Sequence, residues 1–140
     1  MSKEKIIERL ESLLKEELWG RINPKDVSIN RFRVLDDFYN SAAGESAEEE
    51  LVNHCREHLA NYQNSVIAMY LLGLISFGKD SMDSKSYLME LLNLYVNAQK
   101  WTIVGHIADR ILEFGENRAA LRALALSYEK LKKVKEAVPI

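Results

Sequence analysis

Apolar residues recur at three- and four-residue spacing along nearly the whole chain, which is the pattern of amphipathic helices. The first stripe covers residues 6–18, and Gly20 and Pro24 follow it as stop signals. Ser46 and Glu49 have the spacing of a capping box at the start of a later helix. Further stripes predict helices near residues 28–44, 48–62, 66–77, 84–98, 101–115 and 117–131, and an eighth from about residue 134. No stretch alternates apolar and polar residues convincingly, so an all-α fold is predicted.

The short connections between these helices favour antiparallel neighbours, arranged as a closed bundle or as an open stack of hairpins. Internal repetition favours the stack. The segment from Leu88 to Tyr95 aligns with Leu121 to Tyr128 at an offset of 33 residues, and a fainter copy begins at Met69. A closed helical bundle that serves as a dimerisation unit stays the alternative.

The segment from Leu124 through Tyr128 to Ala137 resembles the tetratricopeptide repeat, in which a Tyr of the first helix packs against a second helix. Lys132 stands where that family usually has Gly. The resemblance implies a right-handed stack of antiparallel helical hairpins, a tetratricopeptide-like α-solenoid of about seven helices. Residues 1–62 would be N-terminal helices that cap or precede the array, and residues 63–140 would be its hairpins.

The last residues of the chain indicate whether the final repeat is complete. In the repeat register Ala137 opens a second helix, yet only three residues follow it. A terminal repeat needs a polar outer face, whereas Leu121, Leu124 and Tyr128 would lack half of their packing partner. We therefore expect that the last repeat is truncated and that the chain comes from a longer parent.

Composition narrows the class of protein. The chain has 140 residues, of which 47% are hydrophobic and 29% charged, which excludes wholesale disorder. The net charge of −2 gives no basic field that would attract nucleic acid. The longest apolar run, residues 66–75, is shorter than the roughly 20 residues that span a bilayer. We expect a cytoplasmic protein that contacts neither nucleic acid nor membrane directly.

One segment, His54-Cys55-Arg56-Glu57-His58, has the spacing of the inverted zincin motif. Two imidazoles one turn apart can bind zinc, but a hydrolytic zinc needs a third protein ligand, and no later acidic helix stands out. Histidines at the margin of a buried stripe are the simpler interpretation. We expect no enzyme activity and no cofactor, and a zinc-dependent hydrolase stays the alternative function.

In tetratricopeptide arrays the first helix of each pair lines a concave groove. Asn side chains there can donate to and accept from a peptide backbone, and an Arg can hold a carboxylate. Trp19 and Trp101 are expected as core anchors instead, because large aromatic side chains dominate burial. Carried onto this chain, the repeat register predicts a peptide-binding groove of Tyr70, Leu74, Phe77, Met89, Asn93, Asn97, Arg122 and Glu129.

A second resemblance covers the whole chain. The opening helix with residues 16–19, the segments 32–37 and 100–104, and residues 113–125 are similar to the N-terminal helical extension of long bacterial Gre-family transcription elongation factors. That family cleaves transcripts through an acidic-tipped coiled coil, which nothing here resembles. The resemblance implies a non-catalytic protein–protein interaction domain. We expect a protein or peptide partner, with RNA polymerase or an associated factor as the candidates.

Overall fold

The computed structural model describes residues 3–20, 23–78 and 86–137, with side chains for all of these except residues 76–78, 86 and 133–137. Within these ranges there are seven α-helices, one short 3-10 helix at Pro24–Asp26 and no strand. The predicted all-α fold of about seven helices is confirmed. The helices are α1 (Lys3–Trp19), α2 (Ile29–Gly44), α3 (Glu48–Asn61), α4 (Val66–Gly78), α5 (Ser86–Asn97), α6 (Trp101–Glu113) and α7 (Arg118–Ala137).

Neighbouring helices pack side by side in two layers. From α3 to α7 each helix contacts the next one, and α4 also contacts α6 while α5 contacts α7, so that α4 and α6 form the first layer and α5 and α7 the second. Of the remaining helices, α2 lies against the first layer, where it contacts α4 and α6, and α1 contacts α2, α3 and α4. The almost wholly apolar α4 lies at the centre, where α1, α2, α3, α5 and α6 contact it.

Aromatic side chains fill the centre of the core. Phe32 of α2 packs edge-on against Tyr70 and Tyr95, with ring centroids 5.1 and 5.7 Å apart. The Tyr95 hydroxyl donates to the carbonyl of Pro24 at 2.6 Å, which ties the 3-10 helix to α5. Cys55 is also buried in the core, and burial raises the pKa of its thiol to about 12, so it stays protonated at neutral pH.

A side chain from α1 caps the start of α4. Glu17 accepts a hydrogen bond from the Ser65 hydroxyl at 2.5 Å and another from the backbone N–H of Ile67 at 3.1 Å. Ser65 in turn accepts from the backbone N–H of Ala68 at 3.2 Å. A carboxylate at a helix N-terminus satisfies free amide groups and complements the helix dipole. This cap fixes α1 against the α3–α4 connection.

Two predictions about helix ends are wrong. The capping box at Ser46 and Glu49 does not form, because α3 begins at Glu48 and Ser46 has a positive φ of 56°. The backbone amides of residues 45–47 instead bond to the last carbonyls of α2 at 2.9–3.2 Å. The eighth helix is also wrong: α7 continues past Lys132, since a Lys gives no stop signal where the repeat family has Gly.

The prediction that Trp19 is a core anchor is wrong as well, because its side chain is 77% exposed. The buried stripe of α1 consists of Ile6, Leu10, Leu13 and Leu14. Glu17 continues that stripe, and Trp19 follows two positions later, about 200° round the helix. Trp101 differs from Trp19, since it is partly buried and packs against the core.

Candidate functional site

The residues of the predicted groove fall into two groups. Tyr70 and Leu74 of α4 are both 0% exposed, because α2 lies across the layer to which α4 belongs. They therefore offer no surface to a peptide in this structure. The side chain of Phe77 lies outside the described residues.

The other predicted residues lie on α5 and α7, in the second layer. Asn93, Asn97, Arg122 and Glu129 are exposed, and Met89 is partly buried against the core. The structure does not bring them together with Tyr70 and Leu74 on one surface. Peptide binding by the exposed residues stays a prediction.

An apolar stripe is exposed on α7. Leu121 is 52% and Tyr128 61% exposed, and the exposed Ala125 lies between them. Positions i, i+4 and i+7 share one face of a helix, so these side chains form a continuous surface that we call the α7 stripe. Leu124, one position away, packs against the core instead. Of the residues predicted to lack half of their packing partner, Leu121 and Tyr128 are exposed whereas Leu124 is not, and truncation of the repeat stays a prediction.

A partly buried polar cluster, which sequence reasoning missed, holds α2 to α4 and α6. We call it the Asp36 cluster; its members are Asp36, Tyr70, His106 and Arg110. The Tyr70 hydroxyl donates to Asp36 Oδ1 at 2.6 Å, and His106 Nε2 lies 2.7 Å from Oδ2. Arg110 Nε lies 3.2 Å from Oδ1, and Arg110 Nη1 also pairs with Glu113 at 2.5 Å. Since an ionised carboxylate only accepts, Nε2 of His106 carries the proton.

The electrostatics of this cluster favour an ionised Asp36. Burial opposes the charge, but hydrogen bonds from His106 and Tyr70 and the positive charge of Arg110 outweigh it, so the pKa of Asp36 is lowered. Burial and the Asp36 carboxylate raise the pKa of Tyr70, which therefore stays a neutral donor. Burial disfavours the charge of Arg110, but Asp36 more than compensates and raises the pKa of Arg110.

The cluster is suited to structure rather than to acid–base chemistry. Its acidic and basic groups pair with one another, although Arg110 Nε makes no hydrogen bond of good geometry within the described residues. Each of Asp36, His106 and Arg110 is less than a quarter exposed. One sequence signal could have revealed it: Asp36 stands four residues after Phe32 on the buried face of α2, and His106 and Arg110 share one face of α6. A polar side chain in such a stripe requires a polar partner.

The histidine segment of α3 lies beside α1. His54, Glu57 and His58 line an open cavity of about 590 Å³ together with Glu11 and Lys15. Nowhere in the described ranges do three or more His, Cys, Asp or Glu side chains form a group that could hold a metal ion. The alternative of a zinc site at this segment therefore gains no third ligand from the part of the chain that the structure describes.

The chain is similar to segments of two much longer proteins. It is 30% identical over 128 residues to a transcription elongation factor GreA of Borreliella burgdorferi. This alignment covers 91% of this chain and 14% of that protein. It is 40% identical over 102 residues to a Treponema pallidum protein named for GreA-associated domains. This second alignment covers 73% of this chain and 15% of that protein. The chain thus spans about a seventh of the length of these curated relatives.

Other comparisons give no match: no family model and no solved structure corresponds to the chain. The tetratricopeptide resemblance therefore stays a prediction. None of the described helices has the length and apolar character needed to cross a membrane. What the identities of 30% and 40% do show is that this all-helical chain is homologous to segments of GreA-related proteins.

Proposed function

We propose that this chain is a non-catalytic protein–protein interaction region of a Gre-related transcription elongation factor. Its relatives are named as an elongation factor and for GreA-associated domains, but it matches only 14% and 15% of their lengths. The Asp36 cluster supports a non-catalytic role, since its ionisable groups hold helices together. The proposal places the protein in the cytoplasm, without direct contacts to nucleic acid or membrane.

The observation that carries this proposal is the α7 stripe. Burying a large apolar side chain contributes about 1.5–3 kcal/mol relative to leaving it exposed, and interface cores are enriched in aromatic residues such as Tyr. Leu121 and Tyr128 are more than half exposed. A partner that covers them gains that free energy without any change in the core.

Exposed polar side chains on α7 and on the contacting helix α5 would supply the polar rim of an interface. Arg122 is exposed on α7 beside Leu121, and Asn93 and Asn97 are exposed on the contacting helix α5. These groups can bond to the backbone or carboxylates of a protein partner. The partner that we propose is RNA polymerase or a factor associated with it.

Binding to purified RNA polymerase core enzyme from the same organism tests the proposal. We expect the double variant Leu121→Ser/Tyr128→Ser to weaken binding at least ten-fold, as loss of central apolar contacts does. Val34→Ser is the matched control, because Val34 is a 40% exposed apolar residue on α2. Equal binding by the double variant and the wild type would contradict a role for the α7 stripe.

The dimerisation alternative predicts another result for the same variants. If the α7 stripe joins two copies of the chain, light scattering shows a concentration-dependent dimer that Leu121→Ser/Tyr128→Ser dissociates. A wild type that stays monomeric at high concentration and binds polymerase supports the proposal over this alternative.

A further inference from the structure

Two adjoining cavities of about 590 and 500 Å³ lie between the C-terminal halves of α1 and α3. Both are lined by Leu18, His58, Asn61 and Tyr62, so they form one continuous depression, which we call the α1/α3 groove. It lies on helices other than α5 and α7, which carry the surface proposed above. Cavities of this size accommodate small ligands or a few residues of a peptide.

The floor of the groove is apolar. Leu14 is 7% exposed, Leu18 39% and Tyr62 45%, so aliphatic and aromatic surface is open to solvent here. The rings of His58 and Tyr62 lie against each other, with centroids 4.8 Å apart and an interplanar angle of 36°. Such a surface suits an aliphatic side chain, or the methylene stem of a long cationic one.

The walls of the groove are acidic. Glu11 and Glu57 line it, and neither forms an ion pair within the described ranges. Lys15 is the opposing charge in this part of the groove. Burial lowers the pKa of His58, so its imidazole is neutral at pH 7 and does not offset the carboxylates.

A third carboxylate, that of Glu17, already accepts hydrogen bonds within the protein. Glu17 lines the second cavity, but its oxygens accept hydrogen bonds from Ser65 and Ile67 at the start of α4. This leaves Glu11 and Glu57 as the carboxylates available to a ligand, against one ammonium group. The polar residues Gln63 and Asn64 continue the groove beyond Tyr62 and offer hydrogen bonds to an extended backbone.

We infer that the α1/α3 groove binds an extended, basic peptide segment. An aliphatic side chain of the peptide packs on Leu14 and Leu18. A Lys or Arg lays its stem on Tyr62 and places its cation between Glu11 and Glu57, where the aromatic ring and both carboxylates attract it. The surface is thus complementary to a positively charged partner and repels the phosphates of nucleic acid.

NMR titration of the full chain tests this inference. The probes are two acetylated and amidated nonapeptides of Gly, Ser and Leu that are identical except that one carries two Lys where the other carries two Glu. We expect saturable shifts at Leu18, His58 and Tyr62 with the Lys peptide, and at least ten-fold weaker binding of the Glu peptide. High salt weakens binding of the Lys peptide, because exposed ion pairs are screened.

Three variants test whether the charges in the groove determine the affinity for the Lys peptide. Glu11→Gln/Glu57→Gln weakens binding of the Lys peptide about three- to ten-fold, whereas Lys15→Gln strengthens it, because a repelling charge is removed. Asp109→Asn/Glu116→Gln is the matched control: it also removes two exposed carboxylates, but outside the groove, and leaves binding unchanged.

Several results would overturn the inference. They are equal affinities for the two peptides, no saturable shifts with either, and shifts that map to α5 and α7. An equal loss of binding in both double variants would also overturn it, because net charge alone would then explain the attraction. The spectra themselves show whether each variant remains folded.

Discussion

Asp36 contacts each of the other three members of the Asp36 cluster. It joins α2 to Tyr70 of α4 and to His106 and Arg110 of α6 through contacts of 2.6–3.2 Å. A buried charge is costly unless it is paired and hydrogen-bonded, and here each partner depends on the same carboxylate. The cluster therefore stabilises one placement of α2 relative to all others.

Removing the charge of Asp36 should destabilise the protein. We expect Asp36→Asn to lower the free energy of unfolding by about 1–3 kcal/mol, since Arg110 then lacks its buried counter-ion. Urea unfolding measures this difference. Asp37→Asn, at the exposed neighbouring position, should change it by less than about 0.5 kcal/mol. Equal effects of the two substitutions would show that the cluster contributes nothing specific.

The same residue predicts how stability depends on pH. The pKa of Asp36 is lower in the folded state than its ordinary value of 3.8, so the unfolded chain binds the proton first. The stabilisation is complete above about pH 5, where the carboxyl is ionised in both states, and is lost as the pH falls through the folded pKa. We expect the difference in unfolding free energy between the wild type and Asp36→Asn to shrink between about pH 5 and pH 2. A difference that is constant or grows on acidification would contradict this assignment.

At the scale of elements, the contact between α4 and α5 is unusually close at Gly73. A Cβ atom placed there would lie 2.5 Å from Cγ of Leu88 and 3.1 Å from its backbone nitrogen. These helices can approach so closely only because residue 73 has no side chain. The position thus sets the separation of two helices, one from each layer.

Gly73→Ala should therefore be destabilising by about 1–3 kcal/mol, in spite of the higher helix propensity of Ala. Gly44→Ala is the matched control, because a Cβ at residue 44 meets nothing within 4 Å. That substitution should be neutral or stabilising by up to about 1 kcal/mol. Thermal unfolding of both variants measures the contrast, and a neutral Gly73→Ala would mean that α5 shifts at little cost.

The elements themselves were largely predictable from sequence, because periodic apolar stripes determine where helices form. The predicted fourth helix, residues 66–77, corresponds to α4 at Val66–Gly78. Errors arose where another contact, long-range or local, replaced the expected one. Glu17 lies on the buried side of α1 because it caps α4, and the residues after α2 bond back to that helix instead of forming a capping box with Ser46.

The candidate surfaces were less predictable for the same reason. The repeat register assigned Tyr70 and Leu74 to an open groove, since nothing in a periodic pattern reveals that α2 crosses α4 and α6. The α1/α3 groove is likewise formed by residues such as Glu11 and Glu57, which lie 46 positions apart in the chain. Spacing within one helix cannot show such a pair.

At the scale of the whole molecule, the N-terminal and C-terminal parts share one core. Phe32 of α2 packs on Tyr70 and Tyr95, and Tyr95 bonds to Pro24. We expect a single cooperative transition in calorimetry, with a van't Hoff enthalpy equal to the calorimetric enthalpy. Asp36→Asn should move the entire transition to lower temperature. Two transitions, of which only one responds to that substitution, would show that the parts unfold separately.

The Glu17 cap has a practical consequence for dissecting the molecule. The start signal of α4 is supplied from another helix, 48 residues before Ser65. A fragment that begins after residue 20 would leave the Ile67 amide and the Ser65 hydroxyl, at the beginning of its most apolar helix, without their carboxylate acceptor. Removal of α1 would thus destabilise the start of the central helix α4, and not only the surface from which α1 is removed.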